Sequence, residues 1–234
     1  MPITTEIRDR IAEIVFDVPP VNAFDSETWM SLPAIITAAA SNPDVNCVLI
    51  RAAESARGFC GGVDIKEMQA HPARITILNR GNYLTFKAIR DAEVPVVVAA
   101  HKFVIGGGIG ICGASDTIIA ADETFFSLPE VDRGAMGGAS HLSRMLPLHK
   151  VRAAFFTGGN IPAEEAYRLG AVERIVPRDA LVAEAKAGDV RLPLEQIHSA
   201  RLVLSDALIA ATRPLDMSGA DELIEDSQQE KADD

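Results

Sequence analysis
The sequence predicts an α/β chain, and three features predict it. Two short, unbroken apolar runs, residues 47–50 and 94–100, read as strands buried on both faces, as in parallel sheets. Stretches with apolar residues at helical spacing lie between such runs. Glycine-rich turns stand at the junctions. Strands that alternate with helices build a layered α/β architecture.

Each element has its own signal. Residues 11–16 read as a strand, with 6–8 as a hairpin partner across Asp9-Arg10. Pro19-Pro20 ends it, because proline cannot continue a ladder. Residues 26–40 read as a helix with Trp29, Leu32, Ile36 and Ala40 on one face, and Asn42-Pro43 stops it. The apolar run at 47–50 then enters the glycine-rich turn 58–62. Asp64 is placed to cap the next helix, with Glu67 at its third position. Pro72 opens a longer helix with Ile75, Leu78, Asn82 and Ile89 along one face. After the buried run 94–100 comes a second glycine cluster, 106–110. Residues 117–121 and 124–128 read as strands, and a mainly helical region follows with a short strand near 172–176.

Composition narrows the function classes. The chain has 234 residues, 48% hydrophobic and 24% charged, enough to bury a core without disulfides. Its formal net charge of -11 makes it a poor partner for nucleic acid or an anionic membrane surface. Seven acidic residues and one lysine of that balance lie in residues 221–234, so the remaining body is only mildly acidic and has room for a local basic site. Three cysteines, Cys47, Cys60 and Cys112, are an odd count without finger spacing, as expected in a reducing compartment. No basic, apolar leader opens the chain, and the run 94–100 is too short to cross a bilayer. A cytoplasmic protein is expected. The domain reading is a core over 1–180, a helical segment over 181–220 and a disordered acidic tail over 221–234.

Three constellations could carry chemistry. The first is Gly58-Phe59-Cys60-Gly61-Gly62-Val63-Asp64, where glycines let the backbone turn sharply and let a ligand approach the main chain. By itself it is more often a tight connection. The second, Gly106-Gly107-Gly108-Ile109-Gly110, lacks the last glycine of a dinucleotide fingerprint and has no P-loop lysine; by itself it is as often a packing turn. The third is Phe125-Phe126-Ser127-Leu128-Pro129-Glu130. A lone loop glutamate is more often solvated, but burial at the end of an apolar stretch would raise the Glu130 pKa into a useful range. His141 and His149 fit no nucleophile elbow and read as polar or core histidines. No residue set reads as a metal site, with HExxH absent.

In this order and spacing the three segments resemble the crotonase superfamily, the enoyl-CoA hydratase/isomerase fold. Residues 58–68 resemble its first oxyanion-hole signature, 106–110 its second, and 126–131 its Pro-Glu segment. Residues 157–161 through 170–172 resemble the stretch beyond the active site. The resemblance covers about 11–179 and implies a spiral of ββα units with a C-terminal helical segment. It assigns catalytic roles to Glu130 and to the backbone N–H groups of Val63 and Gly107. Gly61, Gly62, Gly108, Gly110, Leu128 and Pro129 would line the substrate. Coenzyme A would be part of the substrate, with no separate cofactor, and a trimer or dimer of trimers is implied.

A narrower likeness is to bacterial crotonases that hydrolytically open a steroid-derived ring held as a CoA thioester. It rests on residues 62–68, 106–110, 128–135 and 141–144. Hydratases typically carry a second glutamate where this chain has Gly110, which argues against a plain hydratase and for a C–C hydrolase or an isomerase. The segment between Glu130 and Gly137 is also shorter than in hydratases, and the region after Asp179 matches the family's closing helices poorly. An isomerase or hydratase of fatty-acid-type oxidation remains one alternative. A non-catalytic crotonase-fold binding protein is another.

Overall fold
The N-terminal hairpin sets the edge of the main sheet. In a computed structural model that describes residues 3–133 and 137–187, β1 (Ile3–Arg8) pairs antiparallel with β2 (Ile11–Phe16), Arg8 facing Ile11. Asp9 and Arg10, with φ of 52° and 63°, form the two-residue turn whose twist suits a hairpin. The partner strand is therefore longer than the 6–8 read from sequence. A two-residue strand, β3 (Ala23–Phe24), leads into α1 (Ser26–Ala40), capped by the Asp25 carboxylate on the Thr28 N–H at 2.8 Å. Then come β4 (Cys47–Ala52), β5 (Gly62–Val63) and α2 (Ile65–Ala70).

Asp64 caps α2 through the Lys66 and Glu67 N–H groups, as its position predicts. Glu67 does not fold back to close a capping box. It reaches across to the Ser26 N–H and hydroxyl, both at 2.7 Å, and to Arg74. Pro72 opens a short 3-10 turn, Pro72–Arg74, before α3 (Ile75–Arg90). The buried face of α3 is Leu78, Gly81, Thr85 and Ile89, while Ile75 is exposed, so the face read from sequence is rotated. Gly81 lets α1 approach: a side chain there would meet Trp29 at 2.9 Å. Pro33 inside α1 offers no N–H to the Trp29 carbonyl, which accepts the Thr85 hydroxyl at 3.2 Å instead.

The second half continues with β6 (Val96–Ala100), β7 (Phe103–Ile105), α4 (Gly107–Cys112), β8 (Thr117–Ala121) and β9 (Phe125–Ser127). A 3-10 turn, Pro129–Arg133, precedes α5 (Ala139–Met145) and α6 (Leu148–Thr157). The described part closes with β10 (Ile161–Pro162), α7 (Ala163–Arg168), β11 (Arg174–Val176) and α8 (Leu181–Ala187). The six-stranded sheet runs β1-β2-β4-β6-β8-β11, parallel after the hairpin. Every residue of β6 and β8 is buried, which is why these runs lack alternation. Most of the expected helical segment 181–220, and all of the expected tail 221–234, lie outside the described residues.

The site depends on a second, smaller sheet, β10-β9-β7. β7 and β9 are parallel, with Ile105 facing Ser127. On its other side β7 is bridged in parallel by Cys60, opposite Val104. Cys60, Val104 and Phe126 thus stand side by side in three parallel segments. A few residues further on, these segments become Gly62-Val63, Gly106-Gly107 and Pro129-Glu130.

Candidate active site
The first turn is held by Asn22. Its side-chain oxygen accepts the Val18 N–H at 2.7 Å, and its amide donates to the Gly58 and Phe59 carbonyls, both at 3.1 Å. Asn22 adopts φ of 51°, a region Asn tolerates better than most residues. The chain then passes Gly61, whose N–H donates to the Asn22 carbonyl and whose missing side chain makes room for the Val21 carbonyl at 2.8 Å. Gly62 has φ of 87°, and its missing side chain lets two segments meet. A Cβ there would lie 3.1 Å from the Ile105 carbonyl and 3.3 Å from the Gly107 nitrogen. The Asp64 N–H turns to the Phe24 carbonyl, so strand alternation aims the preceding Val63 N–H the other way.

The second turn arrives on β7. The Gly106 N–H donates to the Ser127 carbonyl at 3.2 Å, which ties the turn to β9. Gly106 has φ of 53° and precedes the first residue of α4. The Gly107 N–H lies in the first turn of that helix, where no intrahelical acceptor exists.

Glu130 closes the group. Its Oε1 lies 2.6 Å from where a Cβ on Gly106 would stand, and that Cβ would be 3.8 Å from the Gly62 Cα. Its Oε2 is buried without a hydrogen-bond partner. Burial raises the carboxyl pKa above the usual carboxylate value, offset in part by a bond from the residue's own backbone N–H. A half-buried carboxylate with one oxygen unpartnered is set to take up a proton.

The structure brings Gly61, Gly62, Val63, Gly107 and Glu130 to one place, with Gly106 between them. Pro129 starts the turn that carries Glu130. Gly108, Gly110 and Leu128 face the packing instead. A Cβ on Gly108 would meet Cys60 at 3.0 Å, and Leu128 is buried against Gly138. A Cβ on Gly110 would stand 2.1 Å from Cζ of Phe86. The Phe86 ring thus fills the space where a side chain at 110 would begin. It lies edge-on between Trp29, at 5.9 Å, and His141, at 4.5 Å. His141 has a neutral imidazole: burial, with the charges of Arg144 and Arg90, pushes its pKa down to about 4.

Sequence reasoning passes over Asn22 and Phe86. An Asn immediately after two prolines and a valine is a signal for a positive-φ clamp. Phe86 has no local signal, since its role depends on Gly110 in another element.

The enoyl-CoA hydratase/isomerase family pattern matches residues 6–224. The chain belongs to the enoyl-CoA hydratase/isomerase family. A hydrolase of (7aS)-7a-methyl-1,5-dioxo-2,3,5,6,7,7a-hexahydro-1H-indene-carboxyl-CoA from Rhodococcus jostii is 45% identical over 74% of this chain and 67% of its own length. The Mycobacterium tuberculosis hydrolase of the same name is 44% identical over 77% of this chain and 74% of its own. The fold matches that of an enoyl-CoA hydratase from Mycobacterium smegmatis with a TM-score of 0.75, at 23% identity, over 80% of this chain and 74% of that one. A family member from Hyphomonas neptunium gives 0.73 at 26% identity, over 80% and 73%. This membership makes the chain a crotonase-type enzyme with an acyl-CoA substrate. Among the described residues no helix is long and apolar enough to cross a membrane.

Proposed function
We propose that this enzyme hydrolyses a C–C bond in a cyclic β-keto acyl-CoA, opening the ring, with the thioester held as an enolate. The observation that carries the reading is the Glu130 carboxylate packed on Gly106, beside the adjoining backbones of Gly62 and Gly107. The thioester oxygen accepts hydrogen bonds from the Val63 and Gly107 N–H groups. These bonds strengthen as the oxygen gains charge, so they favour the enolate over the ground state. One such donor is typically worth ~3 kcal/mol of barrier.

Glu130 takes a proton from water, and the hydroxide adds to the ring ketone β to the thioester. The bond between that carbon and the thioester α-carbon breaks, and its electron pair passes into the enolate. The ketone carbon becomes a carboxylic acid, still tethered through the rest of the ring, which loses its proton to solvent, and Glu130 returns a proton to the α-carbon. General base catalysis of this kind contributes ~100- to 10,000-fold. The names of the two hydrolase relatives support ring opening. So does Phe86 over Gly110, which fills the place of a second carboxylate at position 110.

A substrate pair tests the reading. Crotonyl-CoA and a cyclic β-diketone acyl-CoA are offered separately. Ring opening with crotonyl-CoA untouched is the expected result. Rapid loss of the enoyl absorbance from crotonyl-CoA would replace the hydrolase with a hydratase. Allylic isomerisation of an unsaturated acyl-CoA without water uptake would point to an isomerase. Acyl-CoA binding without turnover of any of these would make the protein a binder.

A further inference from the structure
Trp29 is the chain's one tryptophan, and it is fully buried. Its indole Nε1 has no hydrogen-bond partner among the described residues. A buried donor left unpaired is costly, and a phenylalanine would avoid that cost. What the larger ring adds is reach. A Cβ on Gly107 would stand 2.4 Å from Trp29 Cζ2 and 2.8 Å from Cη2, outer atoms of the six-membered ring. The indole edge therefore packs against the residue that offers one proposed oxyanion N–H. The Gly62 backbone meets the same residue: a Cβ on Gly62 would lie 3.3 Å from the Gly107 nitrogen.

Trp29 in turn meets Phe24 edge-on, with ring centroids 5.2 Å apart. Phe24 is fully buried and belongs to β3, where it is the register partner of Val63. Its carbonyl accepts the Asp64 N–H at 2.9 Å, the bond that aims the Val63 N–H the other way. One aromatic pair thus stands behind both donors. Phe24 supports Val63 through the backbone ladder, and Trp29 supports Gly107 by contact. The short segment between the two rings is fastened as well. Asp25 caps α1, and Glu67 of α2 bonds the Ser26 N–H and hydroxyl.

We propose that Phe24 and Trp29 are positioning residues, an aromatic brace that sets the separation and aim of the Val63 and Gly107 N–H groups at the thioester oxygen. This rests on the oxyanion assignment in the reading above, and not on which substrate bond breaks. Both rings act through the backbones they support. A misplaced donor loses stabilisation of the enolate faster than it loses binding of the ground state.

Butyryl-CoA tests the brace, because a saturated acyl group has no ring to open and no double bond to hydrate or move. The stretch of its isotope-labelled thioester carbonyl, read by infrared difference spectroscopy, falls as hydrogen bonds to the oxygen strengthen. Bound to wild type, it is expected below its value in water. Trp29→Phe withdraws the indole edge from Gly107, and Phe24→Leu shortens the other half of the pair. Each is expected to move the stretch back towards the value in water. Each should also lower kcat for ring opening by ~10- to 100-fold, with butyryl-CoA affinity changed less than ~3-fold. Ile36→Val trims the same buried face of α1 further along. It should lower stability in urea and leave the stretch in place. A lowered stretch in wild type that both brace variants keep overturns the brace and leaves the oxyanion assignment standing. A return in Ile36→Val as large as in Trp29→Phe overturns it too, since core damage alone then suffices. A wild-type stretch at the value in water removes the oxyanion assignment and the brace with it. Should wild type open no ring, the ring-opening reading falls by itself, and the stretch still decides the brace.

Discussion

One methyl group added at Gly110 measures how tightly Phe86 is seated. In Gly110→Ala the new Cβ would stand 2.1 Å from Phe86 Cζ and 2.5 and 2.6 Å from the two Cε atoms. Carbon atoms rest at roughly 3.5–4.0 Å, so the ring must retreat by roughly 1.5 Å. Trp29 and His141 flank it and oppose that movement. Forcing a methyl group into a packed site costs ~1–3 kcal/mol. Replacing a helical glycine with alanine returns up to ~1 kcal/mol. The net expectation is a loss of ~1–2 kcal/mol, read as a shift in the urea midpoint with an unchanged slope. Phe86→Ala makes the space, so the double variant should recover part of the sum. Contacting residues of this kind couple by ~0.5–3 kcal/mol. A neutral or stabilised Gly110→Ala, or effects that add within ~0.5 kcal/mol, would show that the ring does not occupy this space.

Three further outcomes follow from the same geometry. Glu130→Gln should lower kcat by ~100- to 10,000-fold with acyl-CoA binding kept, and should raise stability at neutral pH. Its carboxyl titrates higher in the folded chain, so the charged form is disfavoured there; the gain should vanish as pH falls through that raised pKa, and denaturant melts across pH check it. Asn22→Ala removes three hydrogen bonds and places a poorly suited residue at φ of 51°. Thermal and urea unfolding should show a loss of ~2–4 kcal/mol, and kcat should fall as the turn into Val63 loosens. For His141, the folded imidazole titrates at about 4 against an ordinary 6.5, so the unfolded chain takes up the extra proton between those values. Stability should therefore fall as pH drops from 6.5 towards 4, by ~1–2 kcal/mol after allowing for partial solvent screening, and His141→Gln should flatten that slope.

Local chemistry made much of this protein legible. α1 has the bounds that its apolar spacing predicts, and Asp64 caps as placed. The two glycine clusters are strand-to-helix turns with φ of 87° at Gly62 and 53° at Gly106, where a side chain is disfavoured. The strands β3, β5, β7 and β10 were not legible, because two or three residues are too few to show a period. Glu67 was misjudged because its partner Ser26 is distant in sequence. The face of α3 was rotated because Gly81 and Thr85 are buried where α1 crosses closely, and small or polar residues do not announce burial. At the site, the apolar approach to Glu130 allowed for burial without requiring it, since a lone loop glutamate is more often solvated; the family resemblance singled it out. Phe86 acquires its meaning from Gly110 on α4, which no linear pattern brings to it.

The small sheet has a mechanical consequence. Glu130 leaves β9 and Gly107 leaves β7, and those strands are locked at Ile105 and Ser127. Cys60, opposite Val104, gives the approach to Val63 the same anchor. The backbone segments that carry Val63, Gly107 and Glu130 are thus set against one another by ladder register, in steps of about 3.3 Å. Such a gauge tolerates drift in every wall around it. Side chains on α3 and α5 can change while the backbones that lead to Val63, Gly107 and Glu130 keep their anchor in the small sheet.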